Sequence, residues 1–185
     1  KRHPDAMLMS AWFTAWVNTI GSLVINSPYI DSLPVNGDNG KIEIADWLEE
    51  MGIPKDNVFD LGFMPNYETP KALRQADVAI FPNRCEGGTN LVAMEAMACG
   101  LPCIIANNTG QKDLISDDNC YPLLEQNRLD IDPASHKGWG ESSIDEILEN
   151  LERAYVDRKE RKKIGLRGAL FMKDWTWEKQ TEKLL

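Results

Sequence analysis

The segment 78–106 constrains the fold of this chain more than any other part of the sequence. It begins with a short apolar run that ends at Phe81, and a polar loop containing two glycines follows. A helical pattern then starts at Thr89 or Asn90 and stops at Gly100, after which a second apolar run follows. A strand, a helix and another strand in this order are typical of a parallel α/β sheet.

Short apolar runs alternate with helical patterns elsewhere in the chain as well. Each run is nearly continuous, as expected of strands that are covered on both faces. The sequence therefore predicts an α/β fold with a Rossmann-like parallel sheet flanked by helices. The predicted strands are Ala6 to Met9, Val58 to Leu61, Val78 to Phe81 and Cys103 to Ala106.

Capping residues mark the helices. Thr69 followed by Pro70 predicts an N-cap with proline at the first helical position. Ser143 with Glu146 predicts a capping box. The helix after Ser143 is predicted to line one side with Ile144, Ile147, Leu148, Leu151 and Tyr155. Further helices are predicted around Ile44, Leu48 and Met51, over Arg158 to Lys163, and from Trp177 to Leu185.

The composition is that of a globular protein and excludes several classes of function. The chain has 185 residues, of which 43% are hydrophobic, which is enough for one domain with a proper core. Its formal net charge of -9 argues against nucleic-acid binding, because a phosphate backbone attracts clustered Lys and Arg. No apolar run approaches the roughly 20 residues of a membrane helix.

Cysteine and histidine usage favours neither a zinc site nor a disulfide framework. The four cysteines do not form CxxC pairs, and His3 and His136 lie far apart in sequence. Cys99 and Cys103 lie among apolar residues and are interpreted as small buried hydrophobes of a reducing compartment. We therefore predict a cytoplasmic protein without a metal site.

The loop after Phe81 concentrates residues that could perform chemistry, at the end of a strand where open sheets bind ligands. Gly87 and Gly88 would let the backbone approach a ligand, and free amides at a helix start attract phosphate. Glu86 lies in the loop, and Glu95 lies about a turn and a half into the helix. A carboxylate there can accept two hydrogen bonds from a vicinal diol. The pattern suits a nucleoside diphosphate sugar, although a tight turn with solvated acids has the same spacing.

The segment from Glu86 to Pro102 resembles the double-glutamate motif of the family 4 (group 1) retaining glycosyltransferases, which have the two-domain GT-B fold. Glu95 to Pro102 matches the second half of the motif, E-A-M-A-x-G-x-P, in full. Glu86 lies one position further from Glu95 than in the family pattern. The resemblance extends from about Asn57 to the end of the chain, and Gly110 matches the loop after the next strand.

The resemblance implies a role for each matching residue. Glu86 would be the catalytic residue at the donor sugar, and Glu95 would bind the ribose hydroxyls. No cofactor or metal is implied, because the nucleoside diphosphate sugar is the substrate. The implied donor-binding residues are Gly87, Gly88, Thr89, Asn90 and Leu91, and the implied base-binding residues are Gly62, Phe63 and Met64.

The resemblance also implies a domain organisation. Residues 1–185 would be a single donor-binding domain, the C-terminal half of a GT-B glycosyltransferase, truncated at its N-terminus and lacking the acceptor-binding domain. Its partners would be the donor, an acceptor glycan or other small molecule, and the missing domain, through which peripheral membrane contact is left open. Hexosyl transfer in carbohydrate biosynthesis would retain the anomeric configuration without metal, and the isolated fragment would be inactive.

Three other functions remain open at this point. Asp130-Ile131-Asp132 fits the Asp-x-Asp pattern of metal-dependent GT-A transferases, although ordinary loop acids fit it equally. A sugar-nucleotide epimerase shares the GT-B fold, and a non-catalytic nucleotide-sugar-binding module would need the same site.

Several residues near the predicted site have no assigned role. Arg84 and Lys112 are the nearest basic residues in sequence, and both are interpreted as surface residues. The loop from Asn127 to Glu141 is predicted to lie near the site, with Trp139 as a candidate for sugar stacking. The other tryptophans are expected to pack in the core.

Overall fold

The computed structural model describes residues 13–14, 23–25, 58–60, 65–129 and 136–183, the first three segments by their backbone. A 3-10 helix spans Thr109–Leu114. The helices are α1 (Thr69–Leu73), α2 (Leu91–Ala98), α3 (Ile144–Val156), α4 (Arg158–Met172) and α5 (Trp177–Glu182). The strands are β1 (Phe13–Thr14), β2 (Leu23–Ile25), β3 (Val58–Asp60), β4 (Ala79–Phe81), β5 (Cys103–Ala106), β6 (Tyr121–Leu123), β7 (Gln126–Asn127) and β8 (Glu141–Ser142).

Six strands form one sheet in the order β3-β2-β1-β4-β5-β6, and β7 pairs with β8 in a separate two-stranded ribbon. The pairs β2–β3, β4–β5 and β5–β6 are parallel, as the sequence predicts. β1 differs from that prediction, since it runs antiparallel to both β2 and β4. Residues 15–22 connect β1 to β2, and this link is shorter than the dozen or more residues that a parallel crossover requires.

The strands β4 and β5 bury side chains on both faces, which confirms the interpretation of the two apolar runs that form them. Phe81 and Ile105 point into one core cluster, which also contains Met97 of α2. Ile80 and Ile104 point into a second cluster on the opposite face, with residues of α3 and α4. The sheet therefore has α2 on one face and α3 on the other, and α4 contributes to both clusters, with Ile164 on the α3 side and Met172 on the α2 side.

The unit β4–α2–β5 holds the loop that the sequence singles out. Asn90 caps α2, because its side-chain oxygen accepts from the backbone N–H of Ala93 at 3.0 Å. Gly100 has a φ of +78° and follows the C-cap. The N–H of Gly100 donates to Met97 and that of Leu101 to Ala96, which forms a Schellman motif. Both predicted ends of this helix are confirmed.

Two predicted caps differ from the structure. Thr69 is the first residue of α1 and not its N-cap, which is Glu68. Ser143 caps α3 by accepting from the N–H of Glu146, but the Glu146 carboxylate does not close the box. It accepts instead from the backbone N–H groups of Leu124 and Glu125, which ties α3 to the end of β6.

The buried stripe of α3 is narrower than predicted. Leu151 and Ala154 are buried and Ile147 is partly buried against the core, whereas Ile144 and Leu148 are 72% and 54% exposed. The helix therefore contacts the sheet along an i, i+4, i+7 stripe, and its flanking apolar residues face outward.

The remaining predictions have mixed outcomes. The strand over Ala6 to Met9 and the helix around Ile44 to Met51 lie outside the described residues. Trp175 packs against Phe171, with ring centroids 5.9 Å apart, as expected of a core tryptophan. Trp177 is 86% exposed, so the expectation of core packing is wrong for this residue.

Candidate functional site

The candidate site lies at the edge of the sheet where β4, β5 and β6 end. Because the three strands are parallel, the loops after Phe81, Ala106 and Leu123 emerge on the same edge. Open α/β sheets bind ligands at this edge. The helix α2 starts there, and its N-terminus is part of the same edge.

The backbone N–H groups from Gly87 to Val92 are consecutive hydrogen-bond donors in the loop and at the start of α2. We call this row of hydrogen-bond donors the donor strip. No residue in the described part of the chain accepts a hydrogen bond from any of them. The flanking amides are satisfied, since Glu86 donates to Thr109 Oγ1 at 2.7 Å and Ala93 donates to Asn90 Oδ1. Free amides at a helix start carry partial positive charge, so the strip is suited to an anionic group.

Gly87 and Gly88 face open space beside this strip. Both are exposed, and a Cβ atom built on either would meet no described heavy atom within 4 Å. Neither has a positive φ. Packing within the described residues therefore does not require glycine at these two positions, whereas close approach of a ligand to the backbone would.

Gly110 fixes the far side of this loop by direct backbone packing. A Cβ atom at Gly110 would lie 1.7 Å from the carbonyl oxygen of Gly88. Its N–H group also donates to the Glu86 carbonyl at 3.4 Å. The start of the 3-10 helix after β5 is thus pressed against the loop after β4, and no side chain fits between them.

Thr109 joins the same two loops with its side chain. Its hydroxyl oxygen accepts from the N–H of Glu86, and the hydroxyl donates to Asn108 Oδ1 at 3.1 Å. Thr109 has a φ of +38°, in the left-handed region that disfavours β-branched residues. A strained threonine that makes a tertiary hydrogen bond at a loop junction is a feature typical of binding sites.

The Glu86 carboxylate is half-buried and held in place. Asn83 donates its side-chain amide to Glu86 Oε1 at 2.8 Å. Burial raises the pKa of the Glu86 carboxyl above its usual value of 4.5, because the surrounding atoms replace water around the charged form. The loop therefore presents an oriented carboxylate immediately before the donor strip.

Glu95 occupies the second turn of α2. Its residue is exposed, and no side chain in the described segments donates a hydrogen bond to its carboxylate. Partial desolvation raises the pKa of Glu95. One turn later, burial raises the pKa of the Cys99 thiol, and the negative charge of Glu95 adds to that rise. The residue added within 87–90 relative to the family pattern lies before α2 begins, so the helical position of Glu95 is unaffected by it.

A network of buried and partly buried amide side chains underlies the loops, and the sequence does not predict it. Asn108 donates to the Asn83 carbonyl at 2.8 Å and to Gln126 Oε1 at 2.9 Å. Gln111 donates to the Asn83 carbonyl and to Asn108 Oδ1, both at 3.0 Å. The available signal was an amide residue placed two or three positions after each of the three strand ends, at Asn83, Asn108 and Gln126.

The two basic residues near the site, Arg84 and Lys112, differ in burial and in their contacts. Arg84 forms an ion pair with Glu141 of β8, with Nη2 2.5 Å from Oε1, and its side chain is 18% exposed. The interpretation of Arg84 as a surface residue is therefore wrong in part, since it ties the ribbon to the loop. Lys112 is exposed, in agreement with the interpretation made from sequence.

The segment 136–141 packs over the same loops. The N–H of Gly140 donates to the Arg84 carbonyl at 3.0 Å, and a Cβ at Gly138 would contact the Thr109 methyl at 3.7 Å. The Trp139 ring meets the His136 ring edge-on, with centroids 4.5 Å apart. The prediction that this loop lies near the site is confirmed for its described part, and stacking of Trp139 on a sugar stays a prediction.

Some predicted residues cannot be placed. Gly62, Phe63 and Met64, and Asp130 with Asp132 of the Asp-x-Asp pattern, lie outside the described residues. Within residues 65–129 and 136–183, no three His, Cys, Asp or Glu side chains are grouped as metal ligands. Among the described helices, none combines the length and apolarity that spanning a membrane requires.

Comparison with known sequences gives a consistent result. The family model described as "Glycosyl transferases group 1" matches residues 18–135. The O-antigen chain mannosyltransferase B of Escherichia coli is 25% identical over 138 residues. These cover 75% of this chain and 32% of the relative, so the chain spans about a third of that protein's length.

Comparison with solved structures finds the fold of this chain in several proteins of known structure. The sucrose-phosphate synthase of Thermosynechococcus elongatus matches with a TM-score of 0.65 and 21% identity, over 89% of this chain and 37% of that one. The Anabaena protein HepE, solved in complex with UDP, matches at 0.52 and 19% identity, over 69% and 30%. The C-terminal domain of a Francisella tularensis group 1 protein, LpcC, matches at 0.50 and 25% identity, over 67% and 55%.

Proposed function

Because this chain belongs to the group 1 glycosyl transferases, we propose that it is the donor-binding domain of a GT-B enzyme. The enzyme transfers a sugar from a nucleoside diphosphate sugar to an acceptor glycan or other small molecule. One observation carries the proposal: the free amides of Gly87 to Val92 lie beside open space, between an oriented Glu86 and an exposed Glu95.

The hydrogen-bond donors of the donor strip suit the diphosphate of a nucleoside diphosphate sugar. An anion at a helix N-terminus gains about 0.3–1 kcal/mol from the helix dipole at the surface, and up to about 2 kcal/mol when partly buried. Hydrogen bonds to a charged acceptor add about 1.5–3 kcal/mol each before entropic costs. Gly87 and Gly88 leave room for phosphate oxygens to reach the amides, because no Cβ atom lies in front of them.

The two carboxylates suit the hydroxyl-bearing ends of the donor. Glu95 carries no hydrogen bond from another described side chain, so its oxygens can accept from the two hydroxyls of a ribose. Glu86 keeps one oxygen on Asn83 and lies next to the strip on the side away from α2, which suits the donor sugar. Its role at the reacting sugar is part of the proposal.

The proposed chemistry retains the anomeric configuration and needs no metal. The departing diphosphate gains negative charge in the transition state, and the oriented amides of the strip and the α2 dipole would stabilise that charge. The acceptor and further catalytic groups belong to a second domain, so this domain is inactive in isolation. The similarity to a mannosyltransferase makes a mannose donor one of those to test.

Calorimetric titration tests donor binding most simply. UDP, GDP and ADP are titrated into the full-length protein and into its Glu95→Ala and Glu152→Ala variants. Glu152 is an exposed glutamate of α3 and serves as the control. We expect one nucleotide to bind the wild type and the control equally, and Glu95→Ala to bind roughly tenfold or more weakly. Equal affinities in all three proteins would refute the assignment of Glu95.

Turnover assays separate this proposal from its alternatives. Retaining, metal-independent transfer predicts a product with the anomeric configuration of the donor and full activity in excess EDTA. Activity that is lost in EDTA and restored by manganese would favour a metal-dependent transferase. Conversion of the donor sugar without acceptor would identify an epimerase, and binding without any turnover would identify a non-catalytic module.

A further inference from the structure

Gln111 connects the two arms of the candidate site through a single buried side chain. It is fully buried at the 3-10 helix that follows β5. Its Nε2 donates to the Asn83 carbonyl and to Asn108 Oδ1. Its Oε1 accepts from the side-chain amide of Asn90 at 3.4 Å. Both polar atoms of the Gln111 side chain are therefore hydrogen-bonded, and the partners lie in the loop after β4, at the N-cap of α2 and at the N-cap of the 3-10 helix.

Each of these partners leads directly to a group of the site. Asn83 donates from its side chain to the Glu86 carboxylate, and Asn90 is the N-cap that starts α2. Asn108 accepts from the hydroxyl of Thr109, which itself accepts from the N–H of Glu86. Gln111 is thus connected to Glu86 through Asn83, whose backbone carbonyl accepts from Gln111 and whose side chain donates to the Glu86 carboxylate. Through Asn90 it is connected to the first turn of the helix that carries Glu95.

Gln111 holds its partners in a defined geometry. An apolar residue at this position would leave the backbone carbonyl of Asn83, Asn108 Oδ1 and the side-chain amide of Asn90 without these hydrogen bonds. Directional hydrogen bonds to three segments fix the geometry between them, which apolar packing does not. A half-satisfied network costs free energy, which explains why the four amides Asn83, Asn90, Asn108 and Gln111 occur together.

We propose that Gln111 is a positioning residue of the donor site, which fixes Glu86 through Asn83 and the N-terminus of α2 through Asn90. The inference rests on the proposed function, because the groups that it positions are those that would bind the donor. Gln111 acts on the donor through these neighbours, and its loss should weaken donor binding more than the loss of fold stability would explain.

Two variants and one matched control test the inference. Gln111→Met removes all three hydrogen bonds at similar side-chain length. Asn90→Ser keeps an oxygen that can cap α2 but deletes the bond to Gln111. Asn119→Leu is the control: Asn119 is equally buried and spans Ser116 N and Leu114 O, before β6 at the opposite edge of the sheet.

The full-length protein and the three variants are compared by hydrogen exchange of peptides spanning residues 83–93, and by calorimetry with UDP, GDP and ADP. We expect Gln111→Met to speed exchange of this segment and to weaken nucleotide affinity by about tenfold. Asn90→Ser should change both in the same direction by less. Asn119→Leu should change neither the exchange rate of residues 83–93 nor the nucleotide affinity by more than about twofold, even if its melting temperature falls as much as that of Gln111→Met.

Two results would overturn the inference. One is exchange of residues 83–93 that is no faster in Gln111→Met than in Asn119→Leu. The other is faster exchange with unchanged nucleotide affinity, which would limit Gln111 to the fold. If the wild type binds none of the three nucleotides, the proposed function fails, and the exchange comparison alone then decides whether Gln111 fixes the two segments.

Discussion

The hydroxyl oxygen of Thr109 lies 2.7 Å from the backbone nitrogen of Glu86, and Thr109 adopts a φ of +38° to place it there. Threonine rarely adopts this backbone conformation, and a strained residue of this kind costs on the order of 1–3 kcal/mol. The hydrogen bond that it makes is worth about 1 kcal/mol. The strain and the contact occur in the same residue, next to the proposed catalytic glutamate.

This relationship predicts an unusual order of stability. Thr109→Ala keeps a positive φ and loses both hydrogen bonds of the hydroxyl, to the N–H of Glu86 and to Asn108 Oδ1, so we expect a loss of about 2 kcal/mol in the free energy of unfolding. Thr109→Gly loses the same two bonds but relieves the strain, and should be more stable than Thr109→Ala. Urea denaturation measures both. A Gly variant that is clearly less stable than the Ala variant would contradict the strain argument.

Gly88 and Gly110 are in backbone contact but should respond oppositely to the same substitution. Gly110→Ala places a methyl group 1.7 Å from the Gly88 carbonyl oxygen, and we expect a loss of about 1–3 kcal/mol in the free energy of unfolding. Gly88→Ala places its methyl in open space and should change stability by less than about 0.5 kcal/mol.

Nucleotide binding distinguishes the two variants further. The Gly88→Ala methyl would add bulk at a position of the donor strip that a ligand must approach under the proposed function, so we expect affinity to fall about tenfold although the fold is intact. Denaturation and calorimetry on the same preparation measure both effects. Full nucleotide affinity in a stable Gly88→Ala protein would show that the ligand does not approach the backbone there.

The pKa shifts of Glu86 and Glu95 predict a pH dependence of stability. Burial raises both pKa values above the usual 4.5, so the folded state binds more protons than the unfolded state above that pH. The contribution of these two carboxyl groups to stability must therefore fall as the pH rises from below 4.5 through their folded-state pKa values. The double variant Glu86→Gln/Glu95→Gln lacks these titrations.

We expect this variant to gain stability relative to the wild type between about pH 4 and about pH 7. Urea denaturation across that range measures the difference, with Glu152→Gln on the exposed face of α3 as the control. If the stability advantage of the double variant were largest at the acidic end of this range, the pKa values of the two carboxyl groups would not be raised in the folded protein.

Tyr121 offers a prediction about the core. Its hydroxyl is buried without a hydrogen-bond partner among the described residues, and burial raises its pKa to about 12. Arg153 lies over the ring, with Cζ 5.4 Å from the centroid, and this contact does not need the hydroxyl. Tyr121→Phe should therefore be as stable as the wild type, or more stable by up to about 1 kcal/mol. A loss of more than about 1 kcal/mol in the free energy of unfolding, measured by thermal denaturation, would show that the hydroxyl has a hydrogen-bond partner.

Local signals made the centre of the fold predictable. The carboxyl ends of β4 and β5, the start of α2 at Thr89 or Asn90 and its stop at Gly100 depend on residues adjacent in sequence, and the sequence predicts all of them. The loop after β4 is singled out by the sequence for the same reason. The direction of β1 and the exposure of Ile144 depend on which elements become neighbours, which periodicity does not specify.

The supports of the site were not predictable in the same way. Gln111, Asn108 and Gln126 lie on three segments separated in sequence, and each is an ordinary polar loop residue when considered alone. Their role arises because parallel strands bring the segments to one edge, where buried amides must find partners. Arg84 was misjudged likewise, since its partner Glu141 is distant in sequence.

The proposed function depends most directly on whether the strip from Gly87 to Val92 binds the diphosphate. Amide chemical shifts of the ¹⁵N-labelled protein, followed during titration with UDP, GDP and ADP, test this. We predict that the largest saturable changes fall on Gly87 to Val92, with smaller ones at Thr109 and Gly110. Changes confined to the opposite edge, around Cys99 and Gly100, or no saturable change with any of the three, would contradict it.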